Sequence, residues 1–143
     1  MTRTNPYGFL DRTVQKTHAW ITDIVQHTGR EDPHKAYQML RAVLRVLRDR
    51  LTIDEAAHLG AQLPMLIRGI YYEGWKPSAQ PRKIRTREQF VHAVSQQLSN
   101  NPEIDPRQAV EACFYVLNKH VTHGEIENIR DMLPETMREL LPA

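Results

Sequence analysis

Residues 50–75, RLTIDEAAHLGAQLPMLIRGIYYEGW, return in diverged form seventy residues later as HVTHGEIENIRDMLPETMRELL, residues 120–141. At that constant offset Thr52 meets Thr122, Glu55 meets Glu125, Leu63 meets Leu133, Pro64 meets Pro134 and Arg68 meets Arg138. The match extends backward without a gap, pairing Ala42 with Ala112, Val46 with Val116 and Leu47 with Leu117. A repeat this long constrains the fold strongly. Each copy exposes an apolar face on its own, and stacking the two copies buries both.

The apolar positions keep a helical rhythm. Phe9, Val14, Ala19, Trp20, Ile21, Ile24 and Val25 mark a first helix over about 9–28, ended by Thr28-Gly29. Asp32-Pro33 opens a second, with an aspartate cap and proline at the first helical position, running to about Arg50. Thr52 with Glu55 is a capping box, in which each side chain satisfies the other's free backbone N–H. It starts a third helix reaching Gln62. Pro64 either breaks the chain into a fourth short helix through Tyr71 or kinks one continuous helix.

Residues 72–85, YEGWKPSAQPRKIR, have no helical period and read as a connector. Thr86 with Gln89 caps a further helix, broken at Asn100, Asn101 and Pro102. Asp105-Pro106 repeats the Asp-Pro start, Thr122 with Glu125 caps the next helix, and Pro134 opens the last, ending at Leu141. No segment alternates as a strand would. The expected fold is all-α, an internally duplicated helical bundle of about four helices per repeat with pseudo-twofold symmetry. Repeat one spans 9–71 and repeat two 86–141, within one globular domain over 1–143.

At this length a chain buries about 68–70% of its unfolded surface. No apolar run approaches the ~20 residues that span a bilayer, and MTRTNPYGFLDR lacks the apolar core of a secretory signal. The single Cys113 aligns with Val43 and reads as a small buried hydrophobe in a reducing compartment. The expected location is cytoplasmic. The net charge of +2 hides an uneven distribution: residues 1–75 carry ten Lys/Arg and eight Asp/Glu, 76–87 five and none, and 88–143 four and nine. A basic connector therefore joins a nearly neutral half to an acidic one.

The block RLTxxEAxHLxAQLPxLIRGxYYEGW, Arg50 to Trp75, and the pattern VLxxxVTxGEIENIRxxLPxxMREL, Val116 to Leu140, resemble the bacterial family catalogued as domain of unknown function 2267. The likeness covers nearly the whole chain. It implies a compact helical duplication and brings no catalytic residues with it.

Candidate chemistry is sparse. There is no phosphate-binding glycine loop, no nucleophile elbow and no Cys–His set with ligand spacing, so no catalytic residue and no cofactor is expected. Glu55 and Glu125 are equivalent carboxylates, and Glu55 with His58 has the Glu-x-x-His spacing of helical metal sites. Repeat two answers His58 with Asn128, and capping alone accounts for both glutamates. His120 and His123 have a zinc-like spacing, weak by itself. A protonated His120 at a helix C-terminus would complement the dipole.

Arg68 and Arg138, each four residues after its proline, suit an anion, a partner carboxylate or an ion pair between helices. Arg41, Arg45 and Arg48, with Lys76, Arg82, Lys83, Arg85 and Arg87, suit nucleic acid, or a connector that neutralises itself on the acidic second repeat. Tyr71, Tyr72 and Trp75 have no counterpart in repeat two and either latch the connector to the bundle or bind another protein. The leading expectation is a non-enzymatic helical module that binds an unknown protein partner or a second copy of itself, with Tyr71, Tyr72, Trp75, Arg68 and Arg138 as the contact residues. The alternatives are nucleic-acid binding through the cationic residues and metal binding at Glu55, His58 and Glu125.

Overall fold

The computed structural model describes residues 5–99 and 101–141. Asn100, placed in the predicted break, and Met1 to Thr4 of the N-terminal stretch lie outside them. Among the described residues there are seven α-helices, two 3-10 helices and no strand. The α-helices are α1 (Gly8–Thr28), α2 (Pro33–Arg50), α3 (Ile53–Gln62), α4 (Met65–Tyr72), α5 (Arg87–Gln97), α6 (Pro106–His120) and α7 (His123–Met132). The 3-10 helices are Pro77–Ala79 and Glu135–Leu140.

The boundaries follow the punctuation in the sequence. Gly29 ends α1 in the left-handed conformation at φ 72°, and its N–H returns to the Val25 carbonyl. The Asp32 carboxylate accepts from the Lys35 N–H and Asp105 from the Arg107 N–H, so both Asp-Pro starts are capped. Thr52, Thr86 and Thr122 accept from the amides three residues on. At the proline step Leu63 has φ −84° and ψ 144° and Pro64 φ −57° and ψ 150°. Two consecutive extended residues make this a break rather than a kink.

The centre of the molecule is the α2–α6 pair, which forms the most extensive helix–helix contact, with α1 laid across both. Each central helix carries an apolar face that must be buried, and Leu40, Val43, Leu44 and Leu47 of α2 and Val110, Cys113, Phe114 and Leu117 of α6 are fully buried. Burial also pushes the Cys113 thiol up from its ordinary pKa, as expected for a thiol that serves as a hydrophobe. α5 packs on α6, α4 on α2, and α3 on α7. Helices α3 and α7 have bounds offset by the same seventy residues as the sequence match. At that offset Trp20 and Phe90, Leu59 and Ile129, Leu63 and Leu133, and Ile67 and Met137 are all buried, in one core.

The connector does not stand off the bundle. The Arg82 N–H donates to the Asp49 carbonyl at 2.7 Å and Ile84 is buried. Gln80 accepts from the Trp75 indole N–H at 3.0 Å, and its amide donates to the Leu51 carbonyl at 2.8 Å and to that of Arg48.

Tyr72 reaches back onto α3, where Gly60 makes room. A Cβ built on Gly60 would lie 2.2 Å from the Tyr72 hydroxyl and 2.6 Å from the ring carbon bearing it. Gly60→Ala is therefore predicted to destabilise the protein by about 1–3 kcal/mol through displacement of the ring, despite alanine's better helix propensity. In a Tyr72→Ala background the same change should be neutral or stabilising. A double-mutant cycle by urea denaturation measures the coupling, and additive effects would refute this account.

Candidate functional site

The predicted capping boxes are only half formed. Thr52 and Thr122 cap as expected, but no hydrogen bond runs from either threonine N–H back to its glutamate among the described residues. The Thr122 N–H instead donates to Gln62 Oε1 at 3.1 Å, across to the other helix. The glutamates turn into the α3–α7 seam. Glu55 is 5% exposed and Glu125 7%, and the Oε1 of each is buried without a hydrogen-bond partner. Capping, which the sequence made sufficient for both residues, accounts for the threonines and leaves the carboxylates unexplained.

One ligand atom each from Glu55, His58 and Glu125 lies within 4.8 Å of the others. His58 Nδ1 is 3.6 Å from Glu55 Oε2, with its ring largely in solvent. Burial, then the hydrogen bond and negative charge of Glu55, push the Glu125 carboxyl up to about 8. Tyr71 of α4 closes the inner side. It is fully buried, its hydroxyl donates to the Ala56 carbonyl at 2.7 Å, and burial drives its pKa upward, helped by the charges of both glutamates.

The other histidines turn apart. His120 Nε2 lies 2.6 Å from Asp23 of α1 with its ring stacked on Trp20, whereas His123 pairs with Glu127 at 3.0 Å on the surface. Burial tends to raise Asp23, but hydrogen bonds from His120 and Lys119 prevail and hold it below the usual carboxylate value.

The predicted contact residues separate into distinct structural environments. Tyr71 belongs to the core, and Tyr72 and Trp75 are half-buried against it. Arg68 donates to the carbonyls of Gly60, Ala61 and Leu63, neutralising the exposed C-terminus of α3. Arg138 is exposed and has no side-chain hydrogen bond or ion pair among the described residues. Of the arginines read as one cationic face of α2, only Arg41 is exposed.

Arg45 and Arg48 are buried because they cap the end of α4. Arg45 donates to the Ile70 carbonyl and pairs with Glu73, and Arg48 donates to the carbonyls of Tyr71 and Glu73. Arg87 pairs with Glu111 at 3.2 Å and Glu139 at 2.9 Å, both in the acidic second half. Lys76, Arg82, Lys83 and Arg85 remain exposed.

A groove of about 550 Å³, absent from the expectations, lies between the start of α1 and the α3–α4 step. Phe9, Arg12, Lys16, Met65 and Arg68 line it, together with His120, and no carboxylate does among the described residues. Phe9 is 71% exposed and Met65 63%. The sequence signal was Phe9 itself, an apolar residue about three turns ahead of the first core position, Trp20.

A family model described as "Uncharacterized conserved protein (DUF2267)" matches residues 17–140. The chain belongs to this family. No curated protein matches the chain. The DUF2267 match includes the Glu55–His58–Glu125 cluster and begins after Phe9, Arg12 and Lys16, while Ala19 and Trp20 of the same groove wall fall within it. Among the described residues no helix is long and apolar enough to cross a membrane.

The position of Glu125 sets a pH dependence. Its folded pKa, about 8, lies above the ordinary 4.5, so the folded chain holds this proton more tightly than the unfolded one. That contribution is complete below about 4.5 and is lost as pH rises through 8. In the presence of a chelator the melting temperature is expected to fall by roughly 8–15 °C between pH 5 and 8.5, at about 2–4 °C per kcal/mol. Glu125→Gln should remove most of that fall. Parallel melting curves for the two proteins would contradict the assignment.

Proposed function

We propose that this chain is a non-enzymatic helical binding module, a cytoplasmic adaptor or regulator, built as an internal duplication whose halves are related by an approximate twofold axis. The coincidence of helix bounds and buried positions at an offset of seventy supports the duplication. The groove beside α1 is the feature that carries the binding role. Phe9 and Met65 expose large apolar surface on its two walls, and Arg12, Lys16 and Arg68 surround them with positive charge. Apolar anchors ringed by one sign of charge suit an amphipathic, acidic segment of a protein partner.

The aromatic connector fits a latch better than a contact surface, because its polar atoms are engaged within the chain. Nucleic-acid binding has less support. Arg45 and Arg48 are buried and Arg87 is paired, which breaks the cationic face into separated charges.

Phe9→Ala combined with Met65→Ala removes both anchors without touching the core. Loss of two anchors at about 2 kcal/mol each should weaken partner capture by well over tenfold. The circular dichroism spectrum should be unchanged. Affinity capture from the native cells, compared by mass spectrometry, reads the outcome. Identical partner sets for the native and doubly substituted proteins would reject the groove as the binding surface.

A further inference from the structure

Two carboxylates buried face to face require a positive charge between them. Two neighbouring negative charges in a poorly solvated seam repel each other and lose their hydration, so the pair must hold a proton or a metal cation between them. Their Oε1 atoms have no hydrogen-bond partner, and no lysine or arginine pairs with either glutamate among the described residues. Among the described residues the third ligand group of this cluster is the His58 imidazole, one helical turn after Glu55 on the same face and open to solvent.

We propose that Glu55, His58 and Glu125 form a binding site for one divalent transition-metal ion of the zinc type, which clamps α3 to α7. The donor set selects the class. Calcium and magnesium take oxygen ligands almost alone, whereas a mixed carboxylate–imidazole set suits zinc and its first-row neighbours. Three protein ligands leave at least one coordination position for water, on the side where His58 meets solvent.

The ligand atoms lie within 4.8 Å of one another. A tetrahedral ion with bonds of 2.0–2.2 Å needs about 3.4 Å between them. The His58–Glu55 pair, at 3.6 Å, is already near that spacing, and the His58 ring lies largely in solvent, where it can turn. The inner side is closed by Tyr71, whose hydroxyl is held by the Ala56 carbonyl and stays out of the ligand set. This site lies apart from the α1 groove and does not depend on the binding role proposed for it.

The test is calorimetric titration of zinc chloride into chelator-stripped full chain, with melting temperature as a second readout. The expected result is one zinc per chain and a raised melting temperature. His58→Ala, on the surface, should keep the fold and lower zinc affinity by more than the 10–100-fold typical of losing an outer-shell partner. Glu125→Gln should abolish saturable binding, while its carboxamide donates to Glu55 and preserves the seam. His123→Ala, at the separate surface pair with Glu127, should change neither readout. The proposal is overturned if zinc is not taken up saturably, which would leave a shared proton as the sole occupant. It is equally overturned if uptake survives Glu125→Gln or disappears with His123→Ala.

Discussion

The mutual burial of α2 and α6 is the constraint on which the rest of the molecule depends. The centre of α2, residues 42–48, is buried on every side, and α6 turns its apolar face to it while Glu111, Tyr115 and Asn118 face outward. Once they are paired, their C-terminal ends carry α3 and α7 to the same seam, each entered through a two-residue step and a threonine cap. The glutamates three residues after those threonines then face one another. No preference of Glu55 or Glu125 places them there. The geometry of the central pair does, and the carboxylates bear the electrostatic penalty.

Arginine does a second kind of work in this fold. Short helices that end at prolines or turns leave carbonyls without partners, and α3 and α4 are short. Arg68 closes the end of α3, while Arg45 and Arg48 reach from α2 to close the end of α4. A guanidinium matches this task because its several N–H groups diverge within one plane and the group keeps its charge when partly buried. The connector's Gln80 completes the pattern by taking the carbonyls of Arg48 and Leu51 at the end of α2. Helix ends that would otherwise need water are thus sealed by side chains from elsewhere in the chain.

The elements were largely legible in the sequence for a physical reason. Thr52, Thr86, Thr122, Asp32-Pro33 and Asp105-Pro106 act through backbone atoms two or three residues away, and such local chemistry is visible in one dimension. The all-helical class follows from the apolar period in the same way. Arg45 and Arg48 were not legible as caps, because spacing along α2 does not show that α4 ends against that face. Tyr71 meets Leu141 at the seventy-residue offset and both are buried, so grouping it with Tyr72 and Trp75 as unmatched residues hid its place in the core. The cluster of Glu55, His58 and Glu125 could be named only as a set, since bringing Glu125 to His58 depends on tertiary packing. The fate of the glutamate side chains was masked by the capping signature, which explained their presence by a hydrogen bond that does not form.

Under the duplication proposed above, the two halves agree where the core requires it and diverge at their edges. Gly60, which admits Tyr72, aligns with Arg130, and the well-capped Arg68 aligns with the exposed Arg138. The largest such difference is α1, which begins nine residues ahead of the position equivalent to the start of α5. Positions near an approximate twofold axis behave in the opposite way. A residue there meets its own counterpart, so any charge it carries is met by the same charge. An apolar pair would fill the seam at lower energy, since a buried ion pair seldom outperforms well-packed hydrophobes and a pair of like charges cannot. Two acids at such a place are stable only with a cation or proton between them, and a neighbouring imidazole open to water is a feature that proton sharing does not need.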